Sequence, residues 1–235
     1  MQKMIMKIML LLTFVLVAPV SMADDVAPDV LLSATTLEVI AILKQDKDLQ
    51  AGNPSKVADV VETRILPLFD FERMARIAMA RNWRVATREQ QKTIATEFKT
   101  LLVRTYSIAL SNYRDQVIEF KRLRMTPGDN EVTVKSAMKQ PGMDVLTMDY
   151  DMEKTPAGWK VYDIKIDGVS LISNYRETFA AKVRDGGVDG LIKLLSDKNR
   201  QGDSRLKSHQ TRSFGNMHFT IALLTEMSMP NLLVR

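Results

Sequence analysis

The stretch GWKVYDIKIDGVSLISNYR, at residues 158–176, decides the fold of this chain. Its first half alternates between apolar and charged side chains, which is the period of a strand with one apolar face and one polar face. The apolar positions are Tyr162, Ile164 and Ile166, and the charged positions are Asp163 and Lys165. The alternation predicts that the three apolar side chains point together into the interior.

Gly168 interrupts this alternation, and we predict that it has a positive φ, at which a Cβ atom is costly. Ser170 is a suitable helix cap. Apolar residues then recur every three or four positions, at Ile172, Tyr175, Phe179 and Val183. The sequence therefore predicts a strand that leads through a one-glycine bend into an amphipathic helix, with both apolar faces turned to the same space.

Three more alternating segments precede this strand, separated by turn residues such as Pro127-Gly128 and Pro141-Gly142. Helices are predicted at 29–50, after Asn53, after Asp70 and after Thr87, and Gly186-Gly187 should stop the helix that follows the sheet. We expect an α+β fold, with helices packed on the apolar face of a four-stranded antiparallel sheet whose other face is solvated.

Residues 1–23 have the pattern of a secretory signal peptide. Two lysines precede an apolar run at 8–17, and a small residue, Ala23, stands at the expected cleavage point. The run is about half of the roughly 20 residues that a membrane-spanning helix needs, and an uncleaved anchor is the alternative. We expect export and a mature chain that begins near Asp24.

Residues 24–199 are predicted to form one domain, and residues 200–235 an atypical C-terminal tail, partly disordered, to which we assign no function. The formal charge of the whole chain is +5. The excess of basic residues lies in the first 23 residues and in the tail, so the domain itself carries no net charge. Neither a net positive charge nor clustered basic and aromatic residues mark the domain as a nucleic-acid binder.

Candidate catalytic groups are few. The chain has no cysteine, and its two histidines, His209 and His218, lie in the tail. A cysteine or histidine nucleophile and a histidine-based metal site are therefore excluded from the domain. Carboxylates remain as an acid–base pair for a hydrolase or isomerase, although the solvated face of a sheet is their ordinary place. They are Asp149, Asp151, Asp163 and Asp167.

The apolar face of the predicted sheet is rich in methionine, at Met138, Met148 and Met152. Methionine adapts to irregular or variable apolar partners. The pattern leaves open whether the space between helices and sheet is a packed core or a cavity, and composition by itself favours the packed core.

Two segments resemble a known family. They read FERMARIAMARNWRVATREQQKTIATEFKTLLVRTYSIALSNY at 71–113 and GWKVYDIKIDGVSLISNYRETFAAKVRDGGVDGLIKLL at 158–195. Both are similar to MlaC proteins, the periplasmic lipid-shuttle components of the Mla pathway, also called toluene-tolerance auxiliary components of an ABC transport system. The resemblance extends from about residue 30 to residue 199.

The resemblance implies a carrier that is not an enzyme, needs no cofactor or metal, and holds phospholipid acyl chains in a cavity between helices and sheet. The residues expected to line it, chosen by the face on which they lie, are Met74, Phe98, Leu101, Leu102, Tyr106, Phe120, Val134, Met148, Tyr150, Tyr162, Ile164, Ile166, Ile172, Tyr175 and Phe179. Candidate head-group contacts near the bend are Ser173, Asn174 and Arg176.

The resemblance also implies partners in two membranes. One is an inner-membrane MCE-domain protein of an ABC transporter, and the other is an outer-membrane lipoprotein complex, between which a monomeric carrier would move lipid. An adaptor that binds the transporter without lipid is a further alternative. The sequence does not reveal the direction of transport.

Overall fold

A computed structural model describes residues 26–51, 53–111 and 116–209, with side chains except at 108–111 and 202–209. The helices are α1 (Pro28–Gln45), α2 (Lys47–Gln50), α3 (Pro54–Val60), α4 (Phe71–Met79), α5 (Arg88–Ser111) and α6 (Arg176–His209). The strands are β1 (Val117–Phe120), β2 (Glu131–Lys139), β3 (Leu146–Thr155), β4 (Gly158–Ile166) and β5 (Val169–Ser170). A π-helical turn (Val61–Ile65) and three 3-10 turns (Leu66–Leu68, Ala80–Arg84 and Ser173–Tyr175) connect the helices.

The predicted starts of two helices are confirmed, because the predicted capping residues form capping hydrogen bonds. The Asn53 side chain accepts hydrogen bonds from the backbone N–H groups of Ser55 and Lys56, and the Asp70 carboxylate accepts one from Arg73. Each cap satisfies backbone donors that would otherwise lack a partner in the first helical turn.

Thr87 and Gln90 bond reciprocally as a capping box at the start of α5. The Gln90 N–H donates to Thr87 Oγ1 at 3.2 Å, and the Thr87 N–H donates to Gln90 Oε1 at 3.0 Å. The first predicted helix is instead broken in two, because Asp46 adopts an extended backbone and caps α2 through its side chain.

The five strands form one antiparallel sheet in the order β1-β2-β3-β4-β5. The predicted class and the four-stranded meander are confirmed, and β5 is an addition. Charged side chains pair across strands on the polar face, as Lys135 does with Asp149 and Lys165 with Asp151, at 3.8 Å and 2.7 Å.

A two-residue hairpin takes the place of the predicted bend. Asp167 and Gly168 both have positive φ, +48° and +82°, which is the backbone of a type I′ turn. The prediction for Gly168 is confirmed, but the chain turns back into β5 before it enters a helix. The Ser170 Oγ atom then accepts a hydrogen bond from the backbone N–H of Ser173, and so caps the 3-10 turn ahead of α6.

The predicted break at Gly186-Gly187 is present inside α6, where both residues leave helical geometry. The helix resumes and continues to His209, so the predicted domain end at residue 199 falls within it. Residues 1–23 and the tail beyond 209 lie outside the described part of the chain. Among the described helices, none combines the length and the hydropathy that a crossing of the bilayer requires.

Buried apolar side chains form three groups. The helical cluster joins α4, α5, α6 and Ile172, and includes Phe98 and Phe179 with no exposed surface. The N-terminal cluster joins α1, α2, α3 and the π-helical turn. The sheet cluster covers the apolar face of the sheet at Val134, Met152, Trp159 and Val161, together with Leu32 of α1.

Candidate functional site

The helical cluster and the sheet cluster meet at Phe69, whose ring packs against both. Its backbone forms a parallel bridge with Val161 of β4, and the Asp70 N–H donates to the Val161 carbonyl at 2.9 Å. The Phe69 ring also stacks on Phe71, with 5.8 Å between the ring centroids. This segment fixes the start of α4 to the sheet and thereby sets how the helices face it.

Two tyrosines lie on the helical side. Tyr106 of α5 and Tyr175 ahead of α6 share a hydrogen bond, and the Tyr175 ring packs edge-on against Phe98 at a centroid distance of 4.9 Å. Burial, the largest cause, raises the pKa of Tyr175 to about 12 and also raises the pKa of Tyr106. Both phenol groups are therefore held away from bulk water.

A third tyrosine lies on the sheet. Tyr150 of β3 faces the same side as Val134, and its hydroxyl group is 3.9 Å from the Met148 sulfur. Burial also raises the pKa of Tyr150, against the opposing effect of a hydrogen bond with Ser136. This phenol is thus enclosed by protein as well.

All three tyrosines are half-buried, so each keeps some accessible surface. A side chain that keeps accessible surface is able to touch a ligand, and these three rings belong to elements that border the space between helices and sheet. Met148, Ile164 and Ile166 are half-buried on the same sheet face as Tyr150. We take these six residues, three tyrosines and three apolar neighbours, as the candidate site.

Accessibility divides the residues expected to line a cavity. Side chains that are packed with little or no accessible surface are Met74, Phe98, Leu101, Leu102, Val134, Ile172 and Phe179. Half-buried side chains are Tyr106, Phe120, Met148, Tyr150, Ile164, Ile166 and Tyr175. Because a side chain needs accessible surface to touch a ligand, the second set is the better candidate for contact and the first forms the wall behind it.

Tyr162 was expected among the lining residues, and the structure places it on the other face of the sheet. The pairing of β3 with β4 shifts between two neighbouring pairs, Asp151 with Asp163 and Met152 with Val161, and leaves Tyr162 as an extra residue. Such a β-bulge changes the face on which a side chain emerges. The expectation that Tyr162 and Ile164 lie on the same face of the sheet is therefore wrong.

The surroundings of Tyr162 are polar. The Arg73 guanidinium lies 3.7 Å from the centroid of its ring, in a cation–π contact. Arg73 also forms ion pairs with Glu131, at 2.6 Å, and with Glu153. Tyr162 thus holds α4 against the polar face of the sheet, which for this reason is only partly solvated.

The candidate head-group residues lie at the start of α6. Asn174 and Arg176 are exposed, and Ser173 is half-buried. The Arg176 Nε atom donates to the carbonyl oxygen of Ile77 in α4 at 3.1 Å. Arg176 is thus positioned by a second element, and its remaining N–H groups keep their capacity to donate.

Three of the candidate catalytic carboxylates, Asp149, Asp151 and Asp163, lie across the sheet from this site. The fourth, Asp167, lies in the hairpin turn and accepts a hydrogen bond from the Thr147 N–H at 2.9 Å. Asp163 is buried, and it accepts hydrogen bonds from the Ser170 hydroxyl and from the N–H groups of Ile164 and Ile172. Asp151 accepts from Thr133 at 2.7 Å and pairs with Lys165. These groups hold the polar face together, and the sheet separates them from the half-buried apolar residues.

Ser136 lies behind the candidate site, and the sequence pattern did not identify it. It lies on the apolar face of β2, is 1% exposed, and its hydroxyl group donates to the Met148 carbonyl at 3.2 Å. The only available signal was a polar residue at a position where the alternation calls for an apolar one.

Comparison with known proteins identifies the family of this chain. A family model described as MlaC protein matches residues 33–197, which is more than half of the sequence. The chain belongs to the MlaC family. Among curated relatives of this chain is the toluene tolerance protein ttg2D of Pseudomonas putida, 26% identical over 69% of this chain and 75% of the relative.

Two more proteins are similar to this chain. The intermembrane phospholipid transport system binding protein MlaC of Haemophilus influenzae is 21% identical over 81% of this chain and 92% of its own. A solved phospholipid-binding protein from Ralstonia solanacearum, in complex with a phospholipid, is 41% identical with a TM-score of 0.68. It covers 74% of this chain and 97% of its own.

Proposed function

We propose that this protein is a periplasmic carrier that binds phospholipid acyl chains between its helices and the apolar face of its sheet. Its mature form would start near Asp24, after removal of the signal peptide at residues 1–23. It would act as a binding protein and not as an enzyme, and the lipid would be its cargo.

One observation carries the proposal. Side chains from α5, β3 and the turn ahead of α6 are shielded from bulk water and yet retain accessible surface. Partial accessibility at these positions is what a cavity lining requires, whereas the interior of a closely packed core leaves few voids larger than a water molecule. Support comes from the 41% identical protein from Ralstonia solanacearum, which was solved with a phospholipid.

The lining that we propose follows from accessibility. Acyl chains would contact Met148, Ile164 and Ile166 on the sheet and the rings of Tyr106 and Tyr175 on the helices. Each methylene removed from water contributes about 0.8 kcal/mol, which is why a carrier has to enclose the chains completely. Ser173, Asn174 and Arg176 remain our candidates for head-group contacts.

We further propose that the carrier exchanges lipid with two partners, an inner-membrane MCE-domain protein of an ABC transporter and an outer-membrane lipoprotein complex, and so maintains lipid asymmetry. This step rests on the family, whose Haemophilus influenzae relative is named as part of an intermembrane phospholipid transport system. We expect the carrier itself to be a monomer.

A hydrolase or isomerase that uses sheet carboxylates is the second candidate. The positions of Asp149, Asp151 and Asp163 argue against it, because these residues lie on the polar face and the proposed cavity lies on the other. A lipid-free adaptor is the third candidate. It would need no shielded and accessible apolar residues, so the candidate site argues against it too.

Mass spectrometry of an organic extract of the purified protein tests the proposal. We expect one or two phospholipid molecules per chain, which are lost from the extract when the protein is first stripped with detergent and repurified. Because the cargo binds only the folded state, the stripped protein should also melt at a lower temperature. A lipid-free preparation that melts unchanged after the detergent step would support the adaptor, and turnover that Asp163→Asn abolishes would support the enzyme.

A further inference from the structure

No strand within residues 26–51, 53–111 and 116–209 pairs with the outer edge of β1. β1 is the first strand of the sheet, with β2 as its neighbour on one side only. The Lys121 N–H donates to the Lys135 carbonyl at 2.8 Å, and the same register places Ile118 and Phe120 at the positions that do not bond to β2. Their backbone N–H and C=O groups therefore point outward, and they make no hydrogen bond within the described part of the chain.

A groove of about 330 Å³ runs beside this edge, between β1 and α1. Its floor includes the side chains of Ile118 and Phe120, and α1 contributes Val30 and Leu37. Val30 is 53% exposed and Leu37 is 65% exposed, which is unusual for large apolar residues on one helix face. An open strand edge beside an apolar groove is a potential binding surface, because native proteins normally cover such an edge or place charged side chains along it.

One end of the groove is basic. Lys121, Arg122 and Arg124 follow β1 directly and are exposed, and none of them forms an ion pair with another described residue. Lys121 and Arg122 line the groove itself. The single carboxylate there, Asp29, already accepts the N–H groups of Val30 and Leu123. The surface therefore offers backbone donors and acceptors, apolar contacts and a net positive charge.

We propose that this edge-and-groove surface binds an extended segment of a partner protein, which pairs with β1 as a sixth strand. Alternate apolar side chains of the segment would enter the groove, and acidic side chains would meet Lys121 and Arg122. A second copy of this chain brings the same basic residues, and an acyl chain has no backbone groups to pair with the strand. The proposal does not depend on the lipid cargo.

Fluorescence anisotropy with a labelled peptide tests it on the full mature protein. The probe is a short peptide that alternates valine with glutamate, and its control is the same peptide methylated on the backbone nitrogens of alternate residues. Only the methylated control lacks donors for β1, so we expect binding of the probe and its loss with the control. NMR amide shifts should locate binding at Ile118, Phe120 and the exposed face of α1.

Two protein variants separate the backbone contribution from the charge contribution. Ile118→Pro removes an outward donor without breaking the ladder to β2, and Ile118→Val is its control. The double variant Lys121→Glu with Arg122→Glu should weaken binding about tenfold, whereas the same change at Arg88 and Lys92 on α5 should not.

Four results would overturn the proposal. Three of them are binding of the methylated peptide as tight as that of the probe, dimerisation of the protein through β1 that excludes the peptide, and binding of anionic phospholipid vesicles in the groove in place of the peptide. Binding of the probe to wild type and to Ile118→Pro with equal affinity would overturn it too, because the outward donor would then be irrelevant.

Discussion

Neighbouring side chains on the apolar face differ in how much surface they leave accessible, and this decides what a substitution does. Val134 is fully buried, whereas Ile164, on the same face, is half-buried beside the proposed cargo. A larger side chain at each position therefore meets a different environment.

We expect Ile164→Trp to reduce the phospholipid content of the purified protein and to change its melting temperature little, because the ring enters space meant for cargo. Val134→Phe should instead lower the free energy of unfolding by about 1–3 kcal/mol, since the extra volume has no space to enter. Mass spectrometry of extracts and thermal melts measure the two effects. Strong destabilisation by Ile164→Trp, with unchanged lipid, would mean that this part of the face is a filled core.

Gly168 offers a test in which only the backbone is strained. A Cβ atom there would meet no other atom within 4 Å, so a substitution costs free energy through its φ of +82° alone. We expect Gly168→Val to lower the free energy of unfolding by about 1–3 kcal/mol, and Gly168→Ala by less, in denaturant titrations.

Gly190 is the control for this test, because it lies within α6 without a positive φ. Gly190→Ala should leave stability unchanged or raise it slightly. If Gly168→Val unfolds at the wild-type denaturant concentration, the turn does not constrain the chain.

The sequence predicted the conformation of a residue well where neighbouring residues determine it, and predicted it poorly where strand pairing determines it. The positive φ of Gly168 follows from a glycine at the end of an alternating segment. The position of Tyr162 does not follow from alternation, because one extra residue in β4 moves its side chain to the other face. The half-buried state of Ile164 depends on the distance between helices and sheet, which no periodicity encodes.

At the scale of elements, the connection from the sheet to α6 depends on one buried carboxylate. Asp163 of β4 accepts hydrogen bonds from Ser170 of β5 and from the N–H group of Ile172. It thus holds β5 and the following turn against β4. Burial, the largest cause, raises the pKa of Asp163 despite these bonds.

This pKa gives a signed prediction for pH. Below the ordinary pKa of 3.8 both the folded and the unfolded chain are protonated at Asp163. As the pH rises through the interval up to the folded pKa, the unfolded chain releases the proton first, so stability falls. Asp163→Asn keeps an acceptor and a donor in place, and it should lose less stability than wild type as the pH rises from the ordinary pKa of 3.8 to the raised pKa of the folded state.

Urea titrations across that range measure the difference, and Asp197 of α6 provides a control of opposite sign. Hydrogen bonds from Lys193 and then Arg200 lower the pKa of Asp197, so this carboxylate favours folding as the pH rises. The gain from Asp197 is complete once the pH has risen past its ordinary pKa of 3.8, so Asp197→Asn should gain less stability than wild type in titrations extended below that pH, and the two should run parallel above it. Parallel pH profiles for wild type and Asp163→Asn would contradict the proposed effect of burial.

Element types were largely predictable, and their junctions were less so. Caps at Asn53, Asp70 and Thr87 follow from short-range hydrogen bonding, which a sequence displays directly. The strand β5 was missed, although Asp167-Gly168 between apolar neighbours is a strong signal for a two-residue hairpin. Because the helical periodicity begins close to this turn, the helix was predicted to start at Ser170, whereas α6 begins at Arg176.

At the scale of the whole molecule, the proposed function requires the protein to cross the inner membrane and lose its leader. We expect N-terminal sequencing of protein from the periplasmic fraction to begin at or near Asp24. The physical reason is the short apolar run at 8–17, which is about half the length needed to remain as a membrane span. Recovery of intact Met1 in the inner-membrane fraction would contradict the expectation, and Ala23→Leu, which blocks cleavage, is the control.

The general architecture could be predicted because helices and strands segregate along the sequence, and such chains form α+β folds. The division into three apolar clusters could not, since residues of α1 contribute both to the sheet cluster, through Leu32, and to the N-terminal cluster, through Val39 and Leu43. The candidate site lies between clusters, and so its position depends on how the clusters pack together.

The bulge in β4 has a consequence for insertions and deletions. β4 carries one residue more than its partner, and that residue is Tyr162. Removing it would restore a regular ladder and keep every other side chain on its present face, at the expense of the contact with Arg73. Removing Thr133 from β2, which pairs without a shift on both sides, would turn all residues on one side of the deletion to the wrong face. Among the paired residues of this sheet, we therefore expect a one-residue deletion to be tolerated at the bulge in β4 and not in the regularly paired segments.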